Sequence, residues 1–576
     1  MTVPPDRLEL AASFPETDRD RWRELALGVL RKAGAEVEGR AVEEVLGSET
    51  PDGVPISPLY DADDAGDLAA RAGVPGLPPY TRGGRAGGGV LGGWDVRQRH
   101  DVPSNAALLT DLENGVTSLW LVLGDGAIPL GSLDDVLRGV RLDLAPVALD
   151  PGPYGGAAAE AFLRLRPSAG NLGLSCADDR LGELARRCAA DFPGVRAAVI
   201  DGLAYHGMGG GDAQELGCAL AEGVAALRTL TDAGLDVADA FRAVEFRYAA
   251  TADQFVTIAK FRAARRLWAR VGEVCGVPEA AQVQHAVTSP AMMTRRDPWV
   301  NMLRTTLACF GAGVGGADAV TVLPFDLRLG LPDDFARRIA RNTQSLLMEE
   351  SNVARVIDPA GGSWYVERLT DDLAHAAWEW FTEIERAGGL PKASGLVRER
   401  LAATWERRRE DIAHRRAPIT GVSEFPNLEE RLPQRRPAAR EPEGVHYAQE
   451  FEELRDLADA QAVRPRVYLA TLGPLAAHTA RAGFAGNLFR AGGIETVAGP
   501  PEEFASSGCA VACLCSSDRL YAEGAAGAAR ALKEAGAAKV WLAGRPGDYE
   551  GVDDYVYAGC DAVSVIRTTL SDLGAK

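Results

Sequence analysis

Short apolar runs separated by helical patterns recur across the first two thirds of this chain, and that rhythm restricts the fold more than any other feature. The runs are SLWLVL (118–123), APVALD (145–150), NLGLSC (171–176), RAAVID (196–201), VEFRYAA (244–250), QVQHAV (282–287), AVTVLPF (319–325) and ARVID (354–358). Between most of them lie helix-like stretches such as AQELGCALAEGVAALRTLTDAG and PDDFARRIARNTQSLLMEES. About eight strands alternating with helices over roughly 250 residues predict a (β/α)8 barrel. A doubly wound open sheet is the other topology such alternation allows; the reading adopted is the barrel.

The rhythm breaks at RLPQRRPAAREPEGVHYAQE (431–450), which is rich in proline and charge and lacks apolar periodicity, as a linker should. A second α/β unit follows, with strands expected at RVYLATLG, IETVAG, VACLCSS, KVWLAG and DAVSVI. Five strands in little more than a hundred residues fit a flavodoxin-like sheet. At the other end, TDRDRWRELALGVLRKAG carries an apolar stripe of Trp22, Leu25, Leu27 and Leu30 and a stop at Gly34, and it reads as an arm. The expected layout is an N-terminal arm and extension over 1–74, the barrel over 75–425, a linker over 426–463 and the flavodoxin-like domain over 464–576.

Charge and cysteine usage narrow the function classes. The 576 residues include 62 basic and 81 acidic side chains, a net charge of −19, which argues against nucleic acid or an anionic membrane as the main partner. Nine cysteines without a C-x-x-C pair predict reduced thiols in the cytoplasm. Cys513 and Cys515 read as alternating across a strand with thiols on opposite faces, and no metal site is expected. MTVPPDRLEL shows no export signal, and no apolar run reaches the ~18 residues of a membrane span.

The stretch PYTRGGRAGGGVLGGWDVRQ (79–98) contains a formal G-x-G-x-x-G at Gly87, Gly89 and Gly92. A nucleotide fingerprint needs a strand before and a helix after. Here three prolines precede the glycines and WDVRQRHDVPSN reads as an extended segment, so the match is accidental.

The same stretch resembles the substrate-access segment of the adenosylcobalamin-dependent acyl-CoA mutases, above all methylmalonyl-CoA mutase, through PYTRG and WDVRQ. The resemblance continues through AYHGMGGGDAQELGCALAEGVAALRTLTDAGLD (204–236) and FRYAATADQFVTIAKFRAARRLWARV (246–271). It extends to the run from Arg338 to Gly389, with Arg341-Asn342-Thr343-Gln344 and Asp358-Pro359-Ala360-Gly361-Gly362-Ser363. Together these blocks span most of residues 75–425, and the family's TIM barrel followed by a cobalamin domain matches the layout read above.

Against that family, several positions are eroded. The family tyrosine that packs on the reacting acyl group is placed at Gly89, which offers neither ring nor hydroxyl. The family's Asp-x-His-x-x-Gly, whose histidine binds cobalt and whose aspartate orients it, falls on Leu475, Ala477 and Ala480. A one-residue shift gives Ala476, His478 and Arg481, and His478 reads as a solvated loop histidine. The family's Ser-x-Leu and Gly-Gly positions become Ser516-Ser517-Asp518 and Ala543-Gly544. Tyr80, Thr81, Arg82 and His206 survive as a vestigial substrate pocket, His206 reading as a hydrogen-bonded histidine at the top of a strand. Asp253, Lys260, Arg262 and Arg266 are expected in ion pairs on a helix surface or at an interface.

The resemblance, with these losses, implies a non-catalytic small chain that binds no cofactor and forms a heterodimer with a large chain carrying adenosylcobalamin. That large chain would interconvert (R)-methylmalonyl-CoA and succinyl-CoA, with no nucleic acid or membrane partner. Two rival readings are an active acyl-CoA mutase in its own right and a CoA-binding regulatory module without catalysis.

Overall fold

Eight parallel strands pair in chain order and the last returns to the first, closing a barrel. The computed structural model describes residues 17–35, 37 and 39–575. The barrel strands are β1 (Asp95–His100), β2 (Ser118–Val122), β3 (Val147–Asp150), β4 (Gly170–Leu174), β5 (Val195–Asp201), β6 (Val244–Ala250), β7 (Gln284–Thr288) and β8 (Ala319–Thr321). Closure runs through Ala319 beside Asp95 and Val320 beside Val96.

Seven of the expected runs supply strands; the eighth does not. ARVID forms a 3-10 turn at Val353–Arg355, and the chain then bends through Asp358 at φ 47°. Pro359, which follows, has no N–H to give a ladder. The missing strand is β1, where the sequence showed only an extended segment. Its side chain at Arg97 turns into the barrel, so β1 lacks the apolar signature that marked the other strands.

The main core lies between the barrel wall and its helices, with Leu119, Leu149, Phe162, Phe246 and Trp268 among its buried members. Helices α2 (Asp212–Asp232), α3 (Gln254–Val274) and α4 (Val300–Val314) belong to the outer ring. A further helix, α5 (Trp364–Arg386), packs over both α2 and α3. That second layer corrects the expectation for α3: Lys260 and Arg262 are fully buried, not on a surface. Asp253 caps the helix by accepting from the Val256 N–H, and Arg266 pairs with Asp371 at 2.6 Å.

The C-terminal sheet contains β9 (Arg466–Thr471), β10 (Glu495–Gly499), β11 (Val511–Cys515), β12 (Lys539–Ala543) and β13 (Asp554–Val556). All pairs are parallel, in the order β10-β9-β11-β12-β13. Two separate cores cover its faces, one holding Val467, Leu469 and Trp541, the other Tyr468, Ala470 and Leu542. DAVSVI, expected as the last strand, starts the helix Ala562–Asp572. Asp561 caps it, and Ala562, Val563, Ile566 and Leu570 are buried at helical spacing. Cys513 and Cys515 share one core and therefore one face, since residues two apart on a strand point the same way.

The linker is ordered along its length. Gln449–Asp459 forms a helix, α6, whose Phe451, Leu454 and Ala458 join the core of the C-terminal sheet. At the other end, α1 (Arg19–Lys32) is capped by Asp18 and has no buried residue, as an arm should. Arg19 pairs with Asp61 at 2.8 Å and Arg23 with Glu43 at 2.6 Å, tying the arm to the body. The portion of the expected arm before residue 17 lies outside the described residues. No helix among the described residues is long and apolar enough to cross a membrane.

Candidate functional site

Tyr80, Thr81 and Arg82 stand before β1, at the end of the barrel where the strands begin. Tyr80 adopts φ 58°, and both it and Thr81 are buried. Arg265 of α3 clamps their backbone, donating Nε to the Tyr80 carbonyl at 2.9 Å and Nη2 to the Thr81 carbonyl at 2.8 Å. Arg82 donates to Asp358 at 3.0 Å; Asp358 also accepts from Arg262, which reaches Glu367 at 2.7 Å. The surviving motif residues are thus engaged inside the fold.

The glycines fold back on themselves. Gly88 N–H donates to the Arg85 carbonyl at 3.0 Å and Gly93 N–H to the Gly89 carbonyl at 2.6 Å, so neither faces outward to an anion. Trp94 Nε1 donates to Gln344 of the Arg-Asn-Thr-Gln run at 3.0 Å. Arg85 pairs with Asp318 at 2.6 Å. The cavity left beneath this loop measures about 70 Å3, well short of the ~300 Å3 at which small-molecule pockets begin. A larger cavity, about 540 Å3, lies outside the barrel wall between Pro78–Pro79, Leu267 and Trp378.

Gly89 and His206 are at opposite ends of the barrel. Gly89 precedes β1, whereas His206 follows β5 in the short helix Gly202–Gly207. A strand of six residues separates the two ends by about 20 Å. The tyrosine position that the resemblance places at Gly89 and the pocket residue His206 therefore do not come together in one site. The β1 residues that reach the His206 end are Arg99 and His100.

Side chains from opposite walls meet along the barrel axis. Arg97 of β1 pairs with Glu245 of β6 at 2.6 Å, and both are almost wholly buried. Ser118 of β2 accepts from Arg97 at 3.3 Å, and Asn171 of β4 reaches Glu245 at 3.4 Å. The next layer places Trp120 of β2 edge-on to His285 of β7, with ring centroids 5.4 Å apart, and under Arg247 of β6 at 4.3 Å. Arg247 pairs with Asp201 at 3.1 Å, and His285 bonds Thr321 of β8 at 2.8 Å. Above them Val122, Val287 and Leu323 form an apolar cluster with Trp120. Sequence reading could not reach this result, because it depends on which strand residues meet across the cylinder.

His206 is buried beside the end of the axis. Its Nε2 lies 2.6 Å from Ser289 Oγ, and its ring stands edge-on to Tyr447 with centroids 6.5 Å apart. Burial, reinforced by Lys260 and Arg408, pushes its pKa down to about 3, so the imidazole is neutral at physiological pH. Nearby, Lys260 bridges Asp212 at 2.7 Å and Glu215 at 2.8 Å. Burial alone would lower the Lys260 ammonium, but the two carboxylates raise it above its ordinary value.

The segment read as a linker runs over this end of the barrel as a strap. Val445 N–H donates to the Gly207 carbonyl after β5 at 2.8 Å, and Tyr447 N–H to the Ala291 carbonyl after β7 at 3.0 Å. Leu331, after β8, donates to the Arg436 carbonyl at 2.8 Å. Arg435 pairs with Asp326 and with Asp333. Gly444 permits the closest approach: at φ 92°, a Cβ there would stand 2.6 Å from the Gly207 carbonyl oxygen. The strap has no motif, and only its proline and charge content marked it.

At the strand C-termini of the five-stranded sheet, Leu475 opens the helix α7 (Leu475–Ala491) and is 74 % exposed. Ala477 and Ala480 follow within its first two turns. His478 is also helical and half-buried, not a solvated loop residue, and its Nδ1 is buried without a hydrogen-bond partner. Arg481 lies over the ring of Tyr521, 5.1 Å from its centroid, and pairs with Asp518 at 2.6 Å. Tyr521 belongs to α8 (Asp518–Glu534), and its hydroxyl donates within reach of the Ala543 carbonyl at 2.9 Å while accepting from Ser516 N–H at 2.7 Å. A Cβ on Gly544 would meet Arg481 Nη1 at 3.0 Å. Arg481 and Tyr521 thus occupy the groove between α7, α8 and β12. Among the described residues no group of three or more His, Cys, Asp or Glu is arranged to hold a metal ion.

Comparison with known proteins gives a consistent set of likenesses. A family model described as methylmalonyl-CoA mutase matches residues 175–484. The chain is 57 % identical to a methylmalonyl-CoA mutase small subunit of Streptomyces virginiae, covering all of both chains. It is 39 % identical to a methylmalonyl-CoA mutase small subunit of Propionibacterium freudenreichii subsp. shermanii, over 99 % of this chain and 97 % of that one. A Rhizobium meliloti methylmalonyl-CoA mutase is 28 % identical over 68 % of this chain and 63 % of its own length.

Proposed function

The chain belongs to the methylmalonyl-CoA mutase family, and we propose that it serves there as the small, non-catalytic subunit of a heterodimer in the cytoplasm. The large subunit would bind adenosylcobalamin and interconvert (R)-methylmalonyl-CoA and succinyl-CoA, an isomerase reaction. The reading rests first on the filled barrel axis. Arg97, Glu245, Trp120, His285 and Arg247 interlock where a CoA thioester would have to lie. Opening that path would break a buried ion pair and strand its partners, at a cost of about 3–5 kcal/mol for the pair alone. The same filling weighs against an active mutase and against a CoA-binding module.

The C-terminal sheet has the strand order of a flavodoxin-like domain, and we assign that domain to residues 464–576, with α6 of the preceding segment packed into its core. The barrel would take residues 75–425 and the arm with its extension residues 1–74. The residues present do not fit a corrin. A cobalt-binding imidazole is oriented by a second partner, but Leu475, Ala477 and Ala480 offer neither group, and His478 Nδ1 has no partner. Arg481 and Tyr521 take up the adjoining groove. No step of the rearrangement is routed through this chain; its part is to support the subunit that performs it.

A turnover assay tests the assignment. With adenosylcobalamin and methylmalonyl-CoA, the isolated chain is expected to form no succinyl-CoA, while the chain mixed with its large subunit does. Turnover by the isolated chain would overturn it.

A further inference from the structure

We propose that the outer face of α4 is the docking surface for the large subunit; the inference rests on the small-subunit reading and adds where the two chains meet. A barrel helix on a protein surface normally turns charged and polar side chains to water. The outer helix Leu181–Asp191 does so, exposing Glu183, Arg186 and Asp191. α4 does not. Its fifteen residues, VNMLRTTLACFGAGV, contain one charge, Arg304. That guanidinium is spent within the fold, on Asn301 at 2.7 Å, Thr294 at 3.0 Å and the Thr420 carbonyl at 2.6 Å.

What α4 exposes is apolar and aligned. Trp299, Leu303 and Leu307 recur every four residues and so stand in one row along the helix; they are 46 %, 65 % and 41 % exposed. Single exposed leucines are ordinary, but an uncharged row spanning about 12 Å along a helix is a contiguous patch of the kind that marks an interface. The row widens at one end, where Trp299 stacks on Phe325 at 5.0 Å and Phe325 meets the exposed Phe335 at 6.1 Å.

Two observations say what covers it. Full-length relatives carry the name of a small subunit, which implies a larger partner chain. The whole chain bears a net charge of −19, and this uncharged row is where another protein's face can be desolvated at little cost. The fit is to a protein face that is itself apolar at its centre and polar at its rim.

The test uses the full chain co-expressed with an affinity-tagged large subunit. The wild-type chain is expected to co-purify one to one. The variant L303D/L307D is expected to lose about 100-fold or more in affinity and to drop out of the complex. On its own, it should keep the circular dichroism and melting temperature of the wild type, because both positions face solvent. If wild type and variant co-purify equally, the α4 surface is wrong and the small-subunit reading survives. If the wild type itself does not co-purify, the small-subunit reading fails. If the isolated chain sediments as a homodimer that L303D/L307D dissolves, a second copy covers α4 and the large-subunit assignment is overturned. Should the charged variant not fold, L303C supplies an independent readout. Its maleimide reaction should be at least about 10-fold slower in the complex than in the isolated chain, and equal rates would overturn the proposal.

Discussion

Glu222 and the buried histidines contribute in opposite directions to how this molecule responds to pH. His100, His206 and His446 are each pushed by burial, and then by neighbouring cations, from 6.5 down to about 3. The fold keeps them neutral while the unfolded chain protonates near 6.5, so their contribution is present above that pH and lost as pH falls from 6.5 towards 3. Glu222 has the opposite sign. Burial raises its carboxyl from 4.5 to about 7, and Tyr205 donates to it at 2.9 Å. Its contribution is present below pH 4.5 and lost as pH rises through 7. In urea titrations the wild-type midpoint should fall between pH 7 and pH 5. Glu222→Gln should equal or exceed the wild type at pH 8 and lose that advantage at pH 5. An equal loss at both pH values would contradict the assignment. At this scale the sequence marked Tyr80, Thr81, Arg82 and His206 by motif alone. It could not show that Lys260 meets Glu215, 45 residues away, or that Arg481 lies on Tyr521, because no local spacing brings those pairs together.

Among the elements, the strap makes the most exposed claim. Gly444 sits at φ 92° against the Gly207 carbonyl, a position where a side chain is both strained and obstructed. Gly444→Ala should cost about 1–3 kcal/mol locally and lift the strap, seen as several-fold faster limited proteolysis between residues 431 and 447. Unchanged cleavage would mean that the close approach does not hold the segment. Most of the elements were legible as alternating apolar and helical runs, because strands in a parallel sheet are buried on both faces. β1 was not, since Arg97 turns a charge into the axis and the pattern loses its apolar sign. ARVID failed for the converse reason: β-branched residues ending at Asp358-Pro359 carry strand composition without a ladder to join. DAVSVI misled because its first residues suit a strand, while the burial of Ala562, Val563, Ile566 and Leu570 follows helical spacing.

At the scale of the whole molecule, the barrel axis is filled by side chains from opposite walls, and in the C-terminal sheet Arg481 lies over Tyr521 beside the strand ends. Both arrangements occupy interior space with side chains and leave the cores intact, which agrees with the small, non-catalytic subunit proposed above. Barrel and sheet were legible in the sequence as architecture. The filling was not, because it follows from register around a cylinder and from the meeting of two helices with a strand end. The most direct test is corrin content by visible absorbance after gel filtration with adenosylcobalamin, for the isolated chain and for its one-to-one complex with the large subunit. The account predicts a colourless isolated chain and one equivalent of corrin per complex. Stoichiometric corrin on the isolated chain, or two equivalents on the complex, would contradict it.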